Sequence, residues 1–154
     1  MTGPLIGLLL AGIFALGDFL YTGHVRRTFV FYFATDRSIM VEDRMLPRSG
    51  NREDDITRYV EEFLLGPESP DLAPPFPKET RLRSLLYRDG VVYAGLSESA
   101  ALPLSEQGFP ASREGVFEGF ETLYQGILRN FPYVRDVSIF TGGNRAFADS
   151  LGRR

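Results

Sequence analysis

The sequence predicts an α+β domain, a two-layer sandwich of β-α-β-β-α-β order. Two helices are expected on one face of a small mixed sheet, preceded by an N-terminal membrane segment. Three observations carry this expectation. Two stretches repeat apolar residues at helical spacing, the segments around them alternate at strand spacing, and the first 17 residues hold no charged side chain.

The uncharged stretch, "MTGPLIGLLLAGIFALG", is followed by Asp18 and "FLYTGHVRR". As a helix, about 17 residues span about 25 Å, slightly short of a hydrocarbon core near 30 Å. Extension to Thr22 closes the gap, so residues 4–22 are expected to enter a membrane. An uncleaved anchor and a signal peptide cut after Ala15-Leu16-Gly17 both fit, as does the plainer reading of a buried core helix. Arg26 and Arg27 follow the apolar run, which by charge alone favours a cytoplasmic C-terminal domain. The division expected is 1–27 as anchor or signal segment and short linker, 28–142 as the domain, and 143–154 as a C-terminal tail.

Each element has its own warrant. "TFVFYFAT" (28–35) is β-branched and aromatic, with Phe29, Phe31 and Phe33 on one face and Val30, Tyr32 and Ala34 on the other. Both faces are apolar, as in a central strand or one with a covered second face. "SIMVEDRML" can add a short edge strand. A helix follows, with Asn51 as N-cap and Glu53, Asp54 and Asp55 against the positive end of its dipole. Ile56, Tyr59, Val60, Phe63 and Leu64 make its buried face, and Gly66-Pro67 stops it. The next segment holds five of the chain's ten prolines between 67 and 77. It reads as a stiff elbow within one fold rather than a linker or a PxxP ligand.

"RLRSLLYRDGVVYAGLS" is a β-hairpin turning at Asp89-Gly90. Tyr87 then faces Val92 and Leu85 faces Ala94 on the core side, while Leu86 pairs with Tyr93 on the opposite side. A second helix runs from Ser112 as N-cap to Asn130, with Phe117, Phe120, Leu123, Tyr124, Ile127 and Leu128 as its apolar arc. Gly115, Gly119, Thr122 and Gly126 form a separate stripe. A helical Gly costs about 0.8–1 kcal/mol relative to Ala, so three on one stripe imply a close approach. The neighbour is either the first helix or sheet, or another subunit. "YVRDVSIFTGG" supplies a last strand with Val137 and Ile139 inward.

Composition narrows function. Net charge is −3, and 16 of 17 basic residues are scattered Arg, which argues against nucleic acid as a partner. The absence of Cys removes disulfides, thiolate nucleophiles and a lipidated N-terminal Cys. His24, the single His, sits beside the membrane segment. "GLSES" (95–99) lacks the final Gly of a nucleophile elbow and a second His to act as base. "TGGN" (141–144) has no following Lys and reads as a turn. Glu53-Asp54-Asp55 is better explained by the helix terminus than by a metal. No enzyme activity, no cofactor and no metal site are expected.

Taken in order, "FYFAT", "VEDRMLP", a helix ending "FLLGP", "FPKET", "LYRDGVVYAGLS", a helix ending "LRNFPYVRDV" and a strand into "FTGG" resemble the GerMN domain. That domain occurs in bacterial sporulation and germination proteins and in some membrane lipoproteins. The resemblance covers residues 28–142. Glu79 stands where the family often has Gly, and Gly95 where it often has Asp. The second domain copy and lipidated Cys of better-known members are missing, so sporulation itself is not carried over. The resemblance implies a non-enzymatic, extracytoplasmic domain anchored to a cell membrane, similar in topology to ring-building modules of secretion-type assemblies. It therefore opposes the orientation suggested by Arg26 and Arg27; an upstream basic region hidden by a misassigned start would reconcile the two.

The expected partners are other envelope proteins or a second copy, with the membrane met through 4–22. The candidate contact residues are Tyr32, Leu86, Tyr93 and Phe140, which alternation places on the sheet face away from the helices, and Gly115, Gly119 and Gly126 of the stripe. The tail, through Phe147 and Leu151, can instead cover that face. The alternative function is a receptor-like domain holding a small ligand or glycan between the loops 67–80 and 98–112.

Overall fold

The computed structural model describes residues 12, 23–102 and 113–147, with side chains from residue 116 onward in the last stretch. The expected membrane segment 4–22, apart from Gly12, and the helix cap Ser112 lie outside the described residues. Among the described residues no helix is long and apolar enough to cross a membrane.

Strands β1 (His24–Phe33) and β2 (Ile39–Pro47) form a long antiparallel hairpin. Its register runs unbroken from His24↔Pro47 to Tyr32↔Ile39. At the turn Arg37 takes a positive φ of 59°. The Asp36 carboxylate accepts from the Ser38 amide (2.9 Å) and hydroxyl (2.7 Å). Those bonds hold the carboxyl below its ordinary range. A two-residue strand, β3 (Leu72–Ala73), lies on the other side of β1 and comes from the proline elbow.

A second sheet contains β4 (Leu82–Arg88), β5 (Val91–Leu96), β6 (Asp136–Thr141) and β7 (Asn144–Phe147) in that order. Strands β5 and β6 are parallel and the other pairs antiparallel. The α+β class stands, but the single small sheet is corrected to two. Alternation fixes which face of β1 turns inward, with Phe29 and Phe31 buried. It does not say which strand lies alongside, and β1 pairs with β2 and β3 rather than with the hairpin.

The helices α1 (Arg52–Leu65) and α2 (Arg113–Asn130) join the sheets, each touching strands of both. Asn51 caps α1, its side-chain oxygen accepting from the Glu53 amide at 3.0 Å. Gly66 ends it at φ 87° with its amide on the Phe63 carbonyl. Ile56, Tyr59, Val60 and Phe63 are fully buried, as their spacing predicts. They meet Phe29, Phe31, Phe76 and Phe131 in one aromatic core, with Phe29 stacked on Tyr59 at 4.7 Å between ring centres. Phe120, Leu123, Tyr124 and Ile127 of α2 complete it with Val92, Ala94, Leu96, Val137 and Ile139 of the second sheet.

The C-terminus of α2 is tied to β1 by Asn130. Its amide nitrogen donates to the carbonyls of Thr28 (2.8 Å) and Gly126 (2.9 Å), and its side-chain oxygen accepts from the Thr28 amide (2.9 Å). Asn130→Ala leaves both polar groups of Thr28 unpaired in a half-buried site. It is expected to lower stability by about 2 kcal/mol, measured by urea unfolding. Asn130→Asp, which keeps only the acceptor, is expected to fall between.

Candidate interaction surface

The outer face of the second sheet is built by the hairpin. Asp89 and Gly90 both take positive φ (52° and 80°), the conformation of a type I′ turn that matches strand twist. Arg135 fastens this turn: its guanidinium donates to the Asp89 carbonyl and its amide to the Gly90 carbonyl. The predicted register is observed, with Tyr87↔Val92, Leu85↔Ala94 and Leu86↔Tyr93.

Across the strands, Leu86, Tyr93 and Ser138 form one row, and Ser84, Gly95, Phe140 and Arg145 the next. Leu86 is 50% and Tyr93 41% exposed, side by side, while Phe140 is half-buried. Gly95 is required here because a Cβ would lie 2.6 Å from the Ser84 hydroxyl. Arg145 crosses the same face and donates to Ser138 Oγ at 2.8 Å. The result is a short apolar strip beside a cation, a surface able to hold an aromatic or aliphatic anchor of a protein partner.

Tyr32 does not belong to this strip. It lies in the first sheet, between Ile39 and Ala73, because β1 never pairs with the hairpin. The tail does not cover the strip with its aromatic residue either. Residues 144–147 extend the sheet as β7, and Phe147 turns to the helix side, where its ring meets Phe117 and Tyr124. Leu151 lies outside the described residues.

The glycine stripe is resolved by what faces it. Gly119 and Gly126 are buried. A Cβ on Gly119 would overlap the Pro75 carbonyl, and one on Gly126 the Tyr59 hydroxyl. Both therefore serve contacts within the chain, to the proline elbow and to α1, and offer no surface to a second subunit. The surroundings of Gly115 lie outside the described residues.

The groove expected between loops 67–80 and 98–112 is placed differently. A cavity of about 700 Å³ lies between the proline elbow and the end of α1, lined by Leu64, Leu65, Pro67, Pro70, Phe76 and Lys78. A smaller, polar concavity of about 480 Å³ lies where Glu79 and Arg83 meet Ser97, Ser99 and Gly142. Residues 103–112 are outside the described residues. Among the described residues no cluster of His, Asp or Glu could hold a metal ion. Glu53 and Asp55 are engaged structurally, accepting from the amides of Tyr87 (2.8 Å) and Ser49 (2.7 Å).

One residue that the spacing does not flag dominates the electrostatics. Arg44 of β2 is 8% exposed and pairs with Glu42 (2.6 Å) and Glu62 (2.9 Å). It also donates to the Gly66 carbonyl at 2.8 Å, at the negative end of α1. Its guanidinium lies 5.0 Å from the Phe29 ring centre and 5.5 Å from that of Phe31. It is a strut between the hairpin and α1. The available signal was its place two residues from Glu42 on the same face of an edge strand.

The family described as sporulation and spore germination, Germane, matches residues 30–146. Among solved structures, the first GerMN domain of the sporulation protein GerM from Bacillus subtilis is similar with a TM-score of 0.57 and 14% identity, over 79% of this chain and 85% of that one. The tandem GerMN domains of the same protein give 0.56 and 20%, over 80% of this chain and 40% of that one. The chain thus spans less than half of that tandem structure. A candidate lipoprotein from Clostridium perfringens gives 0.49 and 19%, over 79% of this chain and 77% of that one. No curated protein sequence matches. The solved structures share the fold, and the family match spans well over half of the sequence: the chain belongs to the Germane family, the GerMN domains.

Proposed function

We propose that the chain is a non-enzymatic scaffold or adaptor of a bacterial cell envelope, tethered to the membrane through residues 4–22 with its GerMN domain extracytoplasmic. It assembles with other envelope proteins or with itself through the outer face of the second sheet. The observation that carries this reading is the exposed apolar pair Leu86 and Tyr93, adjoining Phe140 on a face that no described element covers. Exposed aromatic and aliphatic side chains grouped on a rigid sheet are suited to an interface core. The family membership supports the envelope setting, and the uncharged first 17 residues support the tether.

Because the chain has no cysteine, a single Asp89→Cys at the exposed hairpin tip reports its side of the membrane. Labelling of intact cells by a membrane-impermeant maleimide is expected, with the chain sedimenting with membranes. Labelling only after lysis would overturn the extracytoplasmic placement. Recovery in the soluble fraction would overturn the tether.

The cavity beside the proline elbow favours a second reading, a receptor-like domain for a small ligand. Its lining of Leu64, Leu65, Pro67 and Pro70 is largely apolar, with Lys78 at hand for an acidic group.

A further inference from the structure

We propose that β2 is a self-pairing edge, along which two copies of the chain dock antiparallel about a two-fold axis beside Met40. The edge lies on the first sheet, apart from Leu86 and Tyr93, so it stands or falls independently of the sheet-face interface.

Strand β2 is the outermost strand of its sheet, and among the described residues nothing pairs with its outer side. Such an edge presents unpaired amide and carbonyl groups, and proteins that must stay monomeric blunt it with bulges, proline or lysine. This edge has none of these along its middle. Its nine-residue register is unbroken, it contains no Lys, and its Pro47 is the final residue. Its charged residues are each drawn into the chain's own ion pairs: Glu42 with Arg44, Arg44 with Glu62, and Asp43 with Arg26.

The exposed apolar residues lie on both faces of the same short stretch. Ile39 is 62%, Met40 42% and Val41 53% exposed. A partner that only covered one face would leave the other wet. A strand added in plane meets both.

Pairing with a second copy fits this sequence. A two-fold at Met40 sets Met40 against its counterpart on one face and Ile39 against the copy's Val41 on the other. Every apolar residue then meets an apolar one. Two positions further out, Arg37 comes opposite the copy's Asp43 at both ends, so opposite charges frame the seam. The contact is isologous and closes as a dimer, with no open edge left for further growth on this side.

The cysteine-free full-length chain in native membranes allows a direct test. At the symmetric position of an antiparallel pair the two Cα atoms stand about 4.5–5.5 Å apart, within disulfide reach. Met40→Cys is expected to give a covalent dimer on mild oxidation. The yield should be at least about tenfold above that of Leu65→Cys, an exposed position elsewhere, since reach is steeply limited by geometry. Adding Val41→Lys to Met40→Cys is expected to remove most of the dimer by setting charge into the seam. A monomeric Met40→Cys chain, equal yields from Met40→Cys and Leu65→Cys, or a dimer indifferent to Val41→Lys would each overturn the proposal. The result for a Tyr93→Cys chain, measured alongside, bears on the sheet face and not on this edge.

Discussion

Arg44→Ala is expected to cost about 3–5 kcal/mol of unfolding free energy, the range for breaking a buried ion pair by removing one partner. The loss has three parts. Glu42 and Glu62 are left facing each other with no cation between them. The Gly66 carbonyl loses its guanidinium donor at the negative end of α1. The planar cover over Phe29 and Phe31 is removed. Because a small domain is stable by only about 5–15 kcal/mol, the variant is expected to be partly unfolded at growth temperature. Arg44→Lys keeps the charge but cannot hold both carboxylates and the carbonyl with one planar fork, and is expected to recover about half. Urea titration of both variants decides the matter. A loss under about 1 kcal/mol for Arg44→Ala would mean the cluster behaves as an ordinary surface pair.

The second large effect concerns Gly126. On helix propensity alone, Gly126→Ala should stabilise α2 by about 1 kcal/mol. The opposite is expected, because the new Cβ would overlap the Tyr59 hydroxyl. Tyr59 cannot move aside. It is fully buried, stacked on Phe29 and set edge-on to Phe131, with its hydroxyl donating to the Thr28 carbonyl at 3.3 Å. Burial also pushes its ionisation far above the ordinary tyrosine range, so it remains neutral throughout the physiological range. Overpacking of this kind costs about 1–3 kcal/mol. Removing the hydroxyl should relieve it: in a Tyr59→Phe background, Gly126→Ala is expected to be close to neutral. A double-mutant cycle with a coupling of about 1–2 kcal/mol is the predicted signature. Additive losses would show that the glycine answers to something other than Tyr59.

The elements legible in the sequence are those fixed by local chemistry. Asn51, the acidic first turn and Gly66-Pro67 bound α1 within a residue, since capping and a left-handed stop are decided by neighbours in the chain. The Asp89-Gly90 turn sets the hairpin register, and with it the outward side of Leu86 and Tyr93. What escaped is decided by distant partners. Tyr32 was grouped with the sheet-face residues because alternation carries no information about which sheet a strand joins. The glycine stripe signalled a close approach correctly, but only packing reveals that Pro75 and Tyr59 make it. Residues 144–147 read as tail, since "NRAF" is short and half polar. Their strand character comes from pairing with β6 across the Gly142-Gly143 turn, where both glycines take positive φ. Arg44 looked like one charge among many, because burial of a cation depends on carboxylates that are brought in by α1.

The claim on which the account rests is that the outer face of the second sheet is an assembly surface. The direct measurement is the size of the complex that contains the full-length chain after gentle extraction from envelope membranes. It is compared between the natural sequence and the Tyr93→Ser/Phe140→Ser double variant, with matched unfolding curves to confirm that both are folded. The account predicts a species well above monomer size for the natural sequence and its collapse in the double variant. A complex of unchanged size and abundance in a folded double variant would contradict it.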